Sequence, residues 1–347
     1  LERHTAVLPF REFLRMLGRL QILPVLESGE ETLIGGQAVM EGVMMRAPHA
    51  YCIAVRKPDG SIVTETKHIH KVSEKYPLFK YPLLRGLGTL GQAMVLGYKS
   101  LQYSANVAIE SAPALLNTMA PGCLGTSGSP AKKPAFSNTM MTVQLLLSLA
   151  FFIFAYKFVP LWITTQVSLA YPAVEGRLAF NFVDGIIRIA IFLVFLYGMS
   201  RWKDIHRVFE YHGAEHRVVF NYESGKPVTV ENAQSFVTFH PRCGTSFLIT
   251  VMLISMVIYA LLPFDSFGAK FASRIALLPV IAGLSYELIR FAAKRRGSLL
   301  ALLSSPGLWL QRITTQPPSG AQTEVAIQAL NGAMELEKAQ GGQLVIA

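Results

Sequence analysis

Residues 180–223, FNFVDGIIRIAIFLVFLYGMSRWKDIHRVFEYHGAEHRVVFNYE, place two different kinds of helix in immediate succession. The first part, 180–199, is apolar and close to the roughly 17–25 residues that a helix needs to cross a bilayer. The second part, from Arg201 on, is polar and carries His212, Glu215 and His216 in the order H-x-x-E-H. Positions four apart share one face of a helix, so both imidazoles can be aimed at one ion with Glu215 beside them. This is the inverted zincin order, in which two His bind zinc and the Glu handles a proton of an activated water. Three fixed letters in five also fit an interfacial helix whose polar face happens to carry two His. Either way the stretch reads as a membrane span that delivers a polar helix to the membrane surface.

Composition agrees with that reading. Of 347 residues, 51% are hydrophobic and 16% charged, and the mean hydropathy is +0.37, which points to a membrane protein and away from a soluble globule. A net charge of +10 would suit nucleic acid in a soluble protein. Here Lys and Arg flank apolar runs, where they set orientation, so the lipid bilayer is the expected partner and nucleic acid is not. Cys52, Cys123 and Cys243 are scattered and odd in number, which gives no disulfide framework and fits reduced thiols facing the cytosol.

Four apolar segments qualify as spans: 143–163, 180–199, 247–262 and 271–289. Basic residues alternate between their flanks. Lys67, Lys71, Lys75, Lys80, Arg85, Lys132 and Lys133 precede the first, while the connection 164–179 carries only Arg177 as a basic residue. Arg201, Lys203, Arg207, Arg217, Lys226 and Arg242 follow the second, and the next connection holds only Lys270. Arg290, Lys294, Arg295, Arg296 and Arg312 come after the fourth. The positive-inside rule therefore predicts a multi-pass protein of the cell (inner) membrane with both termini and the loop 200–246 in the cytosol. Inside the spans, Asp184 and Arg188 are four apart and pair most simply with each other.

The remaining segments are shorter readings. Residues 1–30 interleave Arg3, Arg11, Arg15 and Arg19 with Phe10, Phe13, Leu14, Leu17 and Leu20, a basic amphipathic helix. Residues 31–80 are β-rich: 51–56 alternate in polarity, Lys57-Pro58-Asp59-Gly60 makes a turn, and 62–66 runs back as a hairpin. Just ahead lies GGQAVMEGVMMRAP, 35–48, in which Glu41 is the lone acid and wants a cation, either Arg46 or a metal. Residues 81–110, with Gly86, Gly88, Gly91 and Gly97, predict a closely packed interfacial or re-entrant helix. Residues 111–142 have the Pro and Gly content of a linker. After the last span, 298–315 predicts a surface segment broken at Pro306-Gly307, and 322–340 a polar helix docking on the cytosolic domain.

Further ligand types gather in the same loop. HPRCGTSF, 240–247, holds His240 and Cys243, both first-choice zinc ligands, and Glu287 in SYE falls at the same membrane face. Without a metal, Glu287 would pair along its helix with Arg290 or Lys294.

Together GGQAVMEGVMMRAP, PLLRG at 82–86, EYHGAEH, HPRCGTSF and SYE resemble the YqhQ-like family, domain of unknown function 1385, bacterial membrane proteins described as predicted metal-dependent enzymes. The resemblance implies a membrane location and a metal, and carries over Glu41, His212, Glu215, His216, His240, Cys243 and Glu287 as positions that match family motifs. It implies no substrate. The spacing from His216 to Glu287 is also similar to that of the third ligand in inverted zincin peptidases, although spans intervene.

The expectation is thus a mainly α membrane protein of about four transmembrane helices plus interfacial helices, with a small N-terminal cytosolic β-hairpin domain. Its loop 200–246 would bind a divalent metal, zinc being expected, through His212 and His216 with His240, Glu287 or Cys243, and Glu41 as a further candidate. Glu215 would serve as base in a hydrolysis. The alternative is a non-catalytic membrane scaffold or assembly factor, in which the same side chains hold a structural ion or bond to one another.

Overall fold

A computed structural model describes residues 34–70, 72–119, 138–240, 243–294 and 305–339, so the expected basic helix at 1–30 lies outside the described residues. Side chains that alternate along 35–68 build a four-stranded antiparallel sheet in the order β1-β2-β3-β4: β1 Gly35–Val39, β2 Gly42–Arg46, β3 Ala50–Arg56 and β4 Ile62–His68. The expected hairpin is its β3-β4 half, and GGQAVMEGVMMRAP forms a second hairpin beside it. Glu41 sits at that tight turn with φ 54, in the left-handed region.

Both faces of the sheet are covered. Val43, Met45, Cys52 and Ala54 pack with Tyr211, Ala214 and Val218, and with Val325, Ala329 and Leu330. Val39, Met44, Ile53 and Val55 pack on the other face with Leu96 and Val107. A period of two thus places consecutive residues of β2 and β3 in two separate cores. Close approach on the first face depends on small residues, since a Cβ at Gly332 would lie 2.6 Å from Cys52 Sγ.

The helices are α1 Val72–Lys75, α2 Leu84–Met119, α3 Asn138–Ile153, α4 Val159–Ala170, α5 Arg177–Ser200, α6 Lys203–Glu223, α7 Val230–Gln234, α8 Gly244–Leu261, α9 Phe267–Ala276, α10 Leu278–Lys294, α11 Ser305–Thr314 and α12 Gly320–Ala339. The glycine-rich stretch forms one helix of 36 residues, α2, which covers the second face of the sheet and runs on through Met119. α11 begins at Pro306-Gly307, where the sequence suggested a break: proline fits a first helical turn, whose N–H groups are unpaired anyway.

The chain is mostly helical, and its apolar helices are of the kind that could cross a membrane, which suggests a membrane protein. Leu146–Ala170, which joins α3 to α4 through a π-helical turn at Phe154–Phe158, and Arg177–Ser200 are long and apolar enough to cross a membrane. Phe267–Ala276 and Leu278–Phe291 make a third span if taken together, with a bend of 51°, while Phe247–Leu261 is a shorter apolar helix. Among the described residues that is two helices long and apolar enough to span, or three, where four spans were expected. The fourth expected span is bent because Pro279 cannot donate to the carbonyl one turn back and its ring crowds that position. α6 follows α5 after a break at Arg201 and Trp202, where Trp202 is extended with ψ 127.

Candidate metal centre

α6 buries Tyr211, Ala214 and Val218 against the sheet, which turns His212 toward Thr314 at the end of α11 and His216 toward Thr238, while Glu215 lies against Gly36 of β1. His212, His216 and Cys243 meet there. One donor atom from each lies within 4.8 Å of the other two, and Cys243 Sγ is 3.3 Å from His212 Nε2. Cys243 stands at the N-cap position of α8, where its side chain makes no capping bond to the helix.

Which ring nitrogen faces the thiol is set by backbone carbonyls. His212 Nδ1 lies 2.8 Å from the Thr314 carbonyl oxygen, and His216 Nδ1 bonds to the Thr238 carbonyl. A carbonyl only accepts, so both Nδ1 atoms carry hydrogen and both Nε2 atoms present lone pairs toward the cluster. Metal-binding histidines are usually oriented by such a bond from the other nitrogen. Three donors in a His-His-Cys set suit zinc and leave a fourth position open, the pattern of catalytic sites. His212 and Cys243 are part-buried, whereas His216 is buried.

Glycines make the arrangement possible. A Cβ at Gly213, inside the HGAEH motif, would stand 2.0 Å from the Gln316 carbonyl, so the segment that follows α11 and Thr314 can lie directly on α6. Gln316 N–H donates to the Phe209 carbonyl at 2.9 Å and fastens it there. A Cβ at Gly36 would stand 2.5 Å from Glu215 Cγ, so β1 yields room for this side chain.

Glu215 is 6% exposed, with one carboxylate oxygen 3.5 Å from His216 Nε2. Burial pushes its carboxyl above the usual range, opposed by His212, His240 and the Gly36 N–H. Burial also holds His216 below the ordinary histidine range. His240, pushed down to about 4 by burial, is neutral at pH 7. Its ring centroid is 5.6 Å from that of His216, and its Nε2 is 3.5 Å from a Glu223 oxygen, so it stands beside the three donors and not among them. Its backbone is clamped by Gln311, which accepts from the His240 N–H at 2.7 Å and donates to the His240 carbonyl at 2.8 Å.

Two acids expected near the metal are held elsewhere. Glu287 accepts from Arg85 Nε at 2.6 Å and from a second Arg85 nitrogen, which joins SYE to PLLRG; neither Arg290 nor Lys294 is its partner in these bonds. Glu41 accepts from Arg207 Nη2 at 2.7 Å and from its Nε, and the Tyr211 hydroxyl donates to it at 3.3 Å. Arg46 instead donates to Gln92 Oε1 at 3.2 Å. Sequence reading missed Thr238, Thr314, Gln311 and Gly36, which act through backbone or shape. Gly36 and Gly213 did lie within quoted motifs, but their spatial neighbours could not be read from them.

The family model for "Protein of unknown function (DUF1385)" matches residues 81–336. The chain belongs to this family. It is also 34% identical over 309 residues, 87% of this chain and 92% of its relative, to "Uncharacterized protein YqhQ" of Bacillus subtilis (strain 168). No solved structure matches. Within the DUF1385 match lie the three donors and Glu215, together with both ends of the Arg85–Glu287 pair.

Proposed function

We propose that this chain is a metal-dependent hydrolase, with zinc as the metal, working at the cytosolic face of the cell membrane. The observation that carries the proposal is the fixed orientation of His212 and His216, both with Nε2 turned to Cys243 Sγ. His212, His216 and Cys243 would hold the ion. A zinc ion so held supplies Lewis acidity and makes water nucleophilic near neutral pH. Glu215 removes the proton: its burial keeps its affinity for a proton higher than that of a surface carboxylate, which suits a base working near pH 7. It then delivers that proton to the leaving group. His240, neutral and buried, adds no charge against the ion.

The chain belongs in the inner membrane as a multi-pass protein of four spans, with the shorter Phe247–Leu261 helix and the bent pair each crossing once. The alternation of basic flanks supports a topology with both termini, the sheet and the candidate centre in the cytosol.

One observation favours a second reading, a non-catalytic scaffold. The Cys243 thiol lies 3.3 Å from His212 Nε2, a direct side-chain bond that can by itself fasten the start of α8 to α6. Glu215→Gln separates the two readings. It keeps the shape of the side chain but cannot accept a proton, so in a hydrolase it abolishes turnover with metal content and fold retained. If the variant loses metal and fold together, the scaffold reading stands.

A further inference from the structure

Inside the helical layer, away from the candidate metal centre, cations outnumber acids. Lys157 on the π-helical turn, Arg188 on α5 and Arg274 on α9 converge on Tyr259 of α8, with cationic centres 5.5, 5.3 and 5.2 Å from its ring centroid. Among the described residues, Asp184 is the carboxylate paired with this group. It accepts from Arg188, as the sequence led one to expect, and also from Arg274 at 2.6 Å. Neutral groups take other donors: Ser255 Oγ accepts from Arg188 at 2.9 Å, Asn181 Oδ1 from Arg274 at 3.2 Å, and the Tyr259 hydroxyl from Lys157 at 3.2 Å. Arg188 and Arg274 are 3% and 2% exposed, and Arg188 Nε has no hydrogen-bond partner among the described residues.

One arginine would satisfy Asp184. Burying two further cations at membrane depth is costly without added negative charge, and ionisable groups so placed mark binding sites or pathways. Arginine forks match tetrahedral oxyanions. Lys157 lies on a π turn within a long apolar helix, a local widening that recurs at functional sites. A pocket of about 450 Å³ lies at the N-terminal ends of α5 and α9, lined by Arg177 and Lys270 and by Glu175 and Asp265; the three cations do not line it, but Arg274 reaches its wall by donating to Asn181.

We propose that Lys157, Arg188 and Arg274 form a binding site for a phosphate-class oxyanion, carried by an acidic phospholipid headgroup or present as free phosphate. The site is independent of the metal centre. The test measures thermal unfolding of the full chain in non-ionic detergent under three additions: inorganic phosphate, phosphatidylglycerol in mixed micelles, and phosphatidylcholine in mixed micelles. Sodium chloride holds ionic strength equal. Either phosphate or phosphatidylglycerol raises the melting temperature, and phosphatidylcholine does not. A response to phosphatidylglycerol alone identifies a lipid headgroup, and a response to phosphate identifies the free anion.

Lys157→Met removes one surplus cation. It raises the melting temperature of the ligand-free chain and weakens the anion response roughly tenfold in concentration. The native-chain arm needs no variant. Absence of any response to both anions overturns the proposal, as does a Lys157→Met protein that responds as the native chain does.

Discussion

His212 and His216 owe their role to atoms that belong to other residues' backbones. The Thr314 and Thr238 carbonyls occupy the Nδ1 hydrogens and so fix the tautomer. Gly213→Ala tests this indirectly. Its methyl group would collide with the Gln316 carbonyl, which is backbone and cannot swing aside, so the substitution costs about 2 kcal/mol or more and loosens zinc binding through the displaced Thr314. Chemical denaturation and a zinc competition titration read the two effects. His240 gives a pH signature in chelator-treated protein. The unfolded chain gains a proton near pH 6.5, which the fold refuses until about 4. Stability is therefore full above pH 6.5 and falls toward pH 4, by on the order of 3 kcal/mol. His240→Gln flattens that slope. Glu215 acts with the opposite sign: its folded pKa is raised, so it costs stability as pH rises through that value. Glu215→Gln accordingly makes the chain more stable at pH 7 while abolishing turnover, the trade expected of a strained functional side chain.

Between elements, the sequence was legible where the signal was periodic. Alternation in 51–56 and 62–66 found half of the sheet, and hydropathy found the long apolar helices. It failed where partners are distant. Glu41 and Glu287 were read against Arg46, Arg290, Lys294 or a metal because those choices are local. Their actual partners, Arg207 and Arg85, lie 166 and 202 residues away in sequence. The clustering of His212 and His216 was legible because H-x-x-E-H is a local pattern, and Cys243 stood out because it heads an apolar segment. α2 and α10 are locked by more than one pair: a Cβ at Gly86 would meet the Tyr286 side chain at 2.8 Å, and one at Gly283 the Leu83 carbonyl at 2.8 Å. Glu287→Gln therefore leaves metal content at its native level but lowers stability by roughly 1–3 kcal/mol, since Arg85 loses a charged, part-buried partner. Loss of metal in that variant would return Glu287 to the ligand set.

At the scale of the whole molecule, a sheet buried on both faces is tied to the membrane helices through α2 on one side and α6 on the other. The candidate centre lies at that junction, where α6 leaves α5 and α8 begins at Cys243. A reporter fused to the C-terminus is expected to be active in the cytosol, as the basic flanks require. The central claim is the metal, and its direct measurement is elemental analysis of the detergent-purified chain beside single variants. About one zinc per chain is expected for a single three-donor site, lost in His212→Ala, His216→Ala and Cys243→Ala and kept in His240→Ala and Glu287→Ala. A folded native chain that carries no metal, or a Cys243→Ala chain that keeps its full complement, would contradict it.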